Sequence, residues 1–403
     1  MGRKARELTH PRKEQERDRE EQRKQRRAKK RRGKLRLLMR LGLAAVAVLC
    51  VVGLFANWRE ISPDGFVAWM EDVLSGTTGG SWPVTIGEEV NDMQEVGSNM
   101  VVLDGTATVF YNGDGGESVR RTYAYAEPLF RANGRYALLL EKGGNRYRLE
   151  SRSFIESEKT VEGKIYTGCV GSKGDVAVVT GSSKSYVSDV TVYSRKGDKR
   201  YQWLSAEWMV MDVSFSSDGN ALAVVGCRSQ NGAMQSVILV FDLRRQDQQP
   251  IQYITDDTLY TRVNYTPGGT VTAVGDNGLR FVNPTGSLDV TVSYDGQELI
   301  GYAFGGSETA IVTRSYGAQE SGTLTLYSSS GDAVSRADYE GAFRDVAAAE
   351  GGFLLLTDRF VYQSGGDGFA RRAAVSADAF MVGAIDGKPL ILGLTKLEPI
   401  VWE

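Results

Sequence analysis

From about residue 82 to the C-terminus, apolar residues do not recur at helical spacing; they come in short runs and alternations of five to eight positions, broken by Gly and small polar residues. One unit repeats along this stretch: a short apolar strand, a turn with Gly, a second apolar strand, a polar gap, then an aromatic strand running into another turn. The first turn reads VGSNMVVL, RANGRYALLL, GSKGDVAVV, SSDGNALAVV, TPGGTVTAV, GGSETAIV, AEGGFLLL and IDGKPLIL in succession. Its glycines are Gly97, Gly134, Gly174, Gly219, Gly269, Gly306, Gly352 and Gly387, spaced by 37, 40, 45, 50, 37, 46 and 35 residues. The later landmark reads TATVFYNGDG, VTVYSRKGD, VILVFDLRRQ, LRFVNPTGS, LTLYSSSGD and RFVYQSGGDG, as expected where a third strand meets a fourth. The repeat that starts at Ala126 is degenerate there, with YRLESRSF in that place.

A period of about 41 residues with four strands per unit is that of propeller blades. The expected fold is therefore all-β, a β-propeller of about eight four-stranded blades; seven is the alternative if one weak repeat is an insertion. The last unit has only three strands before the chain ends, at roughly 378–385, 389–395 and 397–402. An open edge is a liability in a ring, so the segment Trp82–Val90 (WPVTIGEEV) is expected to supply the missing strand and close the circle.

Upstream the pattern changes. Leu41–Trp58 is 18 consecutive uncharged residues, and Leu35, Leu37, Leu38 and Met39 extend it, with Arg36 and Arg40 long enough to snorkel. Helical rise carries 18 residues across about 27 Å, close to the hydrocarbon core of a bilayer. A transmembrane helix is expected over 35–58. RRAKKRRGK precedes it and Glu60, Asp64, Glu71 and Asp72 follow it, so residues 1–34 are expected in the cytosol and the remainder outside. Leu54 before Ala56, and Leu49 before Cys50, are too large for the usual signal-peptide cleavage patterns. Residues 62–76 (SPDGFVAWMEDVLSG) read as a short amphipathic helix with Ser62 as cap, and TTGGS at 77–81 as a hinge, so 59–81 is a juxtamembrane connector and 82–403 the extracytoplasmic propeller.

Charge divides at the same place. Residues 1–40 carry 18 Lys/Arg and 6 Asp/Glu, about +12, whereas the rest of the chain carries about −14. The basic tail either binds anionic lipid headgroups or serves only to set the topology. It lacks the interleaved aromatics of a nucleic-acid site, and the acidic domain disfavours nucleic acid as a partner.

The chemistry is sparse. His10 is the only histidine, so the large domain has no Ser-His-Asp or Cys-His arrangement and no His-ligated metal. Cys169 and Cys227 read as small hydrophobes packed in strands, with a disulfide between them as the alternative. Neither a G-x-x-x-x-G-K-[ST] loop nor a G-x-S-x-G elbow occurs. NGDGGE (112–117) reads as a hairpin turn, not a calcium loop, and Asp218, Asp295, Asp332 and Asp386 read as turn residues. Trp203, Trp208, Trp402, Tyr201 and Tyr260 are either packing between blades or anchors on an exposed rim, with packing the commoner role in such a fold. No catalytic, cofactor-binding or metal-ligating residue is assigned.

SSDGNALAVV and VILVFDL resemble WD40-like and TolB-like blades. The order basic run, span, SPDGFVAWMEDVLSG, Gly hinge, WPVTIG and eight repeats, with LLEKGGNRYRLESRS, GDVAVVT and VTVYSRKGD inside it, resembles a domain-of-unknown-function family of single-pass membrane propellers from clostridial Gram-positive bacteria. That resemblance implies fold and topology and assigns no activity. The expectation is a non-enzymatic interaction or scaffold module of the cell envelope with a protein partner. The alternative is an extracytoplasmic ligand sensor or glycan-acting enzyme that uses the central funnel.

Overall fold

In a computed structural model, the structure describes residues 79–402 apart from 88, 182–184, 247 and 248. The basic tail, the expected span at 35–58 and the helix at 62–76 lie outside the described residues. Among the described residues, no helix is long and apolar enough to cross a membrane.

The described chain folds into eight four-stranded antiparallel sheets, one per sequence repeat. Blades 1 to 7 are simple meanders, beginning with blade 1 at Val90–Val96, Asn99–Asp104, Ala107–Asn112 and Glu117–Thr122. Their first strands contact one another around a central channel, and their fourth strands lie outermost. Blade 2, degenerate in sequence, keeps all four strands.

Blade 8 is assembled from both ends of the chain. Met381–Ile385, Lys388–Leu392 and Lys396–Pro399 supply three strands, and Val84–Thr85 pairs as the fourth with Val84 opposite Leu397 and Thr85 opposite Lys396. The closing strand is shorter than the expected Trp82–Val90, because Val90 already begins the inner strand of blade 1. The amide of Ile86 extends the pairing by donating to the Thr395 carbonyl at 2.8 Å. Trp82 anchors the entry, its Nε1 donating to the Gly113 carbonyl at 3.0 Å.

The sequence pattern follows from stacking sheets face to face. A second strand has neighbouring blades on both sides, so Asn99–Asp104 is buried at every position and its four central residues, Met100 to Leu103, are all apolar. An outermost strand such as Asp289–Ser293 alternates between exposed and half-buried. The pleat divides each middle strand between two interfaces: Val176 and Val178 pack toward blade 2, Ala177 and Val179 toward blade 4. The described residues form eight hydrophobic clusters, each bridging one pair of adjacent blades; Met93, Met100, Leu390 and Leu397 share the one that seals blade 8 to blade 1. The core is thus a ring of interfaces.

Candidate functional site

The inner strands line a central channel of about 930 Å³. Six of those strands break register near their start, at Val90/Asp92, Ile165/Thr167, Val210/Asp212, Tyr260/Arg262, Leu299/Gly301 and Phe343/Asp345. A bulge inserts one residue and re-aims the side chains beyond it. Four of the residues just after these bulges, Asp92, Asp212, Arg262 and Asp345, line the channel together with Arg131.

The polar groups of this ring join one blade to the next. Asp212 Oδ2 accepts the Val263 amide at 3.1 Å, and Ser214 Oγ accepts the Tyr265 amide at 3.0 Å, both from blade 4 to blade 5. Asp345 accepts the Val346 amide at 2.8 Å and, across the boundary to blade 8, the Val382 amide at 2.9 Å. Asp92 accepts the Met93 amide at 2.7 Å and the Gln94 side-chain amide at 3.0 Å; Gln94 Oε1 accepts the Ala132 amide of blade 2 at 3.0 Å. Arg262 Nε donates to the Tyr302 hydroxyl of blade 6 at 2.8 Å.

Burial pushes all three carboxyls above their ordinary value. For Asp212 the charges of Arg131 and Arg262 and the amides of Val263 and Val213 oppose it. For Asp92 the opposition comes from the Met93 and Gln94 amides and from Arg131. Asp345 has no cation among its opposing partners, only the two amides, and the charge of Asp92 adds to the effect of burial; its carboxyl is pushed up to about 6. The carboxyls of Asp92, Asp212 and Asp345 and the guanidinium of Arg262 therefore each hold hydrogen-bond partners on their own or the next blade. Cys169 also lines the channel, a free thiol pushed up by burial and so poorly nucleophilic.

None of these channel residues except Cys169 is singled out by the sequence reading. A signal exists: Asp followed by Met or Val recurs at Asp92–Met93, Asp212–Val213 and Asp345–Val346, five to seven residues before the turn glycine. The residues that were singled out lie elsewhere. Tyr201, Trp208 and Tyr260 are buried between blades, and Trp203 is half-buried with its ring 4.8 Å from that of Phe241. Trp402 packs against the blade 7–8 cluster under Arg371, whose guanidinium lies 4.6 Å from its ring centre. Asn112 caps the NGDGGE turn, its Oδ1 accepting the amides of Asp114 and Gly116 at 3.0 and 2.8 Å. Asp218, Asp295, Asp332 and Asp386 stand in turns or just beside them; Asp295 and Asp386 have φ of 54° and 45°. Cys227, like Cys169, is free. Among the described residues, no group of three or more His, Cys, Asp or Glu is placed to hold a metal ion.

The profile of a family of unknown function, DUF5711, matches residues 81–371. The chain belongs to this family. The match begins at the closing segment and ends in blade 7, so it spans most of the ring. A search of curated proteins found no match. Among solved structures, this DUF5711 chain is similar to BamB from Moraxella catarrhalis, at 12% identity over 80% of this chain and 99% of that one, with a TM-score of 0.51. It is also similar to the C-terminal WD40 domain of Sif2, at 9% identity over 80% and 99% with a TM-score of 0.56. Apo AztD from Citrobacter koseri matches at 10% identity over 78% and 90%, with a TM-score of 0.50. At such identities the likeness is one of fold.

Proposed function

We propose that this DUF5711 propeller is a non-catalytic interaction module held at the outer face of a cell membrane by residues 35–58. The observation that carries the non-catalytic part is the state of the channel: Asp212 and Asp345 accept amides of the next blade and so bind the ring together, and Asp92 is occupied by the Met93 and Gln94 amides of its own strand. A closed, rigid ring with its polar groups so committed suits presentation of loops to a protein partner. The tether and its direction are supported by the 18 uncharged residues at 41–58, the dense Lys/Arg block before them and the opposite charge of the two halves. The resemblance to single-pass clostridial propellers agrees with both.

Two measurements test this. Protease added to intact cells should digest the propeller and spare the tail; a protected propeller, or a chain found in the soluble fraction, removes the tether. Crosslinking of the full chain in native membranes should recover one recurrent envelope protein; repeated recovery of none removes the interaction module.

A second reading, a ligand sensor or glycan-acting funnel, is favoured by the channel itself, with three carboxyls and two guanidiniums around about 930 Å³. Cell-wall oligosaccharides should then raise the melting temperature of the full chain, and Arg131→Met should remove that rise.

A further inference from the structure

The strand order gives every blade the same two rims. The connections from first to second strand and from third to fourth emerge at one rim, and the others at the opposite rim. Charge at the first of these rims is divided by blade. In blade 2 its connections carry Arg135 and Arg152, and in blade 3 Lys173, Arg195 and Lys196. Blade 4 adds Arg244 and Arg245. Among the described residues of these connections the opposing carboxylates are those of Asp175, Asp198 and Asp218, and at the adjoining strand ends Glu156 pairs with Arg195 and Asp242 with Arg244 and Arg245, so the sector keeps an excess of cations. The same connections in blades 6 to 8 hold Asp332, Glu350, Asp367 and Asp386 and no Lys or Arg. Blade 5 holds no charge there, and blade 1 only Asp114.

In a ring of eight, blade 3 stands opposite blade 7. The basic sector and the acidic sector therefore face each other across the channel mouth, with the near-neutral blades 1 and 5 at right angles to both. The acidic sector is also concave: Glu95, Glu308, Glu350 and Asp386 line a cavity of about 530 Å³. Glu95 is pushed up by burial and by the charges of Asp386 and Glu350, as like charges held close require.

We propose that this rim is the interface of a two-fold dimer, in which the basic sector of each copy lies on the acidic sector of the other. A two-fold interface must be self-complementary, and a face split into opposite charges is so for one axis direction only. That axis lies in the plane of the face and runs through blades 1 and 5. It sets blade 2 on 8, 3 on 7 and 4 on 6, and it brings blades 1 and 5 onto their own copies, where low charge avoids repulsion. It also has a consequence for the chain entry. Gly80 lies against Gly116, and Trp82 bonds Gly113, both in blade 1 at this rim. The axis places the two entry points on the same side of the dimer, as two chains tethered to one surface need.

The test is sedimentation of the full chain in nonionic detergent. The expected result is a dimer in 0.1 M salt whose dissociation constant rises about tenfold or more in 1 M salt, as the screening length falls from about 10 to about 3 Å. Two charge-reversed variants at exposed turn positions decide the geometry. Lys196→Glu with Arg245→Glu should be monomeric, and so should Glu350→Lys with Asp367→Lys. Mixed together, the two should form a mixed dimer, because both of its contacts are again between opposite charges. A monomeric wild type, a dimer indifferent to either reversal, or variants that fail to pair on mixing would each overturn the proposal. So would loss of association from the acidic reversal alone, which would mean that another cation, such as the basic tail, occupies that sector. Binding of the wild type to anionic vesicles that is abolished by the basic reversal, without dimerisation, would assign the rim to lipid instead.

Discussion

Asp345 Oδ2 accepts the backbone amide of Val382 at 2.9 Å and so links blade 7 to blade 8 through the channel wall. The same carboxyl holds the Val346 amide at 2.8 Å. Burial raises it to about 6, against an ordinary 3.8. The protonated form is thus favoured more in the folded protein than in the unfolded chain. Its contribution to stability is complete below about pH 4 and is lost as the pH climbs through about 6. The amount is on the order of 2–3 kcal/mol. Urea denaturation of the wild type and of Asp345→Asn at a series of pH values should show a difference between them that changes by about this much from pH 4 to 7. A constant difference would mean that Asp345 does not titrate in this range.

Gly301 and Phe343 show how closely two inner strands approach. A Cβ at Gly301 would lie 2.3 Å from the Phe343 ring, across the boundary between blades 6 and 7. Gly301→Ala should destabilise by about 1–3 kcal/mol through overpacking. Phe343→Leu in the same chain should recover part of that loss, and a double-mutant cycle from urea unfolding measures the coupling. Additive losses would show that the backbone, and not the ring, limits the approach.

Between blades 1 and 2 an ion triad accompanies the apolar cluster of Leu103, Phe110, Phe130 and Leu139. Glu150, 1% exposed, lies 2.5 Å from Arg148 Nε and 3.2 Å from Arg121 Nη1, and accepts the Thr108 hydroxyl at 3.0 Å. Removing the carboxylate leaves two guanidiniums facing each other with little solvent. Glu150→Ala should cost about 3–5 kcal/mol. Arg148→Met combined with Glu150→Leu should cost less, because Arg121 keeps the Ser151 and Arg152 carbonyls. If the double variant is the worse of the two, the triad contributes net stability beyond satisfying its own charges.

Blade number and closure were legible because each rests on local chemistry that recurs. Gly134, Gly219 and Gly387 adopt φ of 55°, 69° and 72° at equivalent turns, and only residues tolerant of that conformation mark them. The short extent of the closing strand was not legible, since WPVTIGEEV reads as one apolar segment while the fold divides it between blades 8 and 1. The channel residues were hidden for another reason. A lone Asp in an apolar strand reads as a polar interruption, and only the bulge before it and the amide it meets some 37 to 51 residues later give it a role. The division of charge between blades 2–4 and 6–8 is likewise absent from any linear window, because it appears only once the repeats are set in a ring.

The closure carries the last prediction. Leu397 is fully buried in the cluster that joins blades 8 and 1, and its strand pairs on one side with Leu390–Leu392 and on the other with Val84–Thr85. Leu397→Ala removes apolar contact at this seam and should cost about 2–5 kcal/mol by urea denaturation. Truncation after Thr395 does more, since it also strips the hydrogen-bond partners of Val84 and Thr85 and leaves an open edge on both ends of the ring. The expected outcome is a broad or biphasic transition, or a chain that no longer unfolds cooperatively. If the truncated chain keeps a single sharp transition at the wild-type midpoint, the pairing of Val84–Thr85 with Lys396–Leu397 does not hold the ring together, and the eight interfaces must suffice without it.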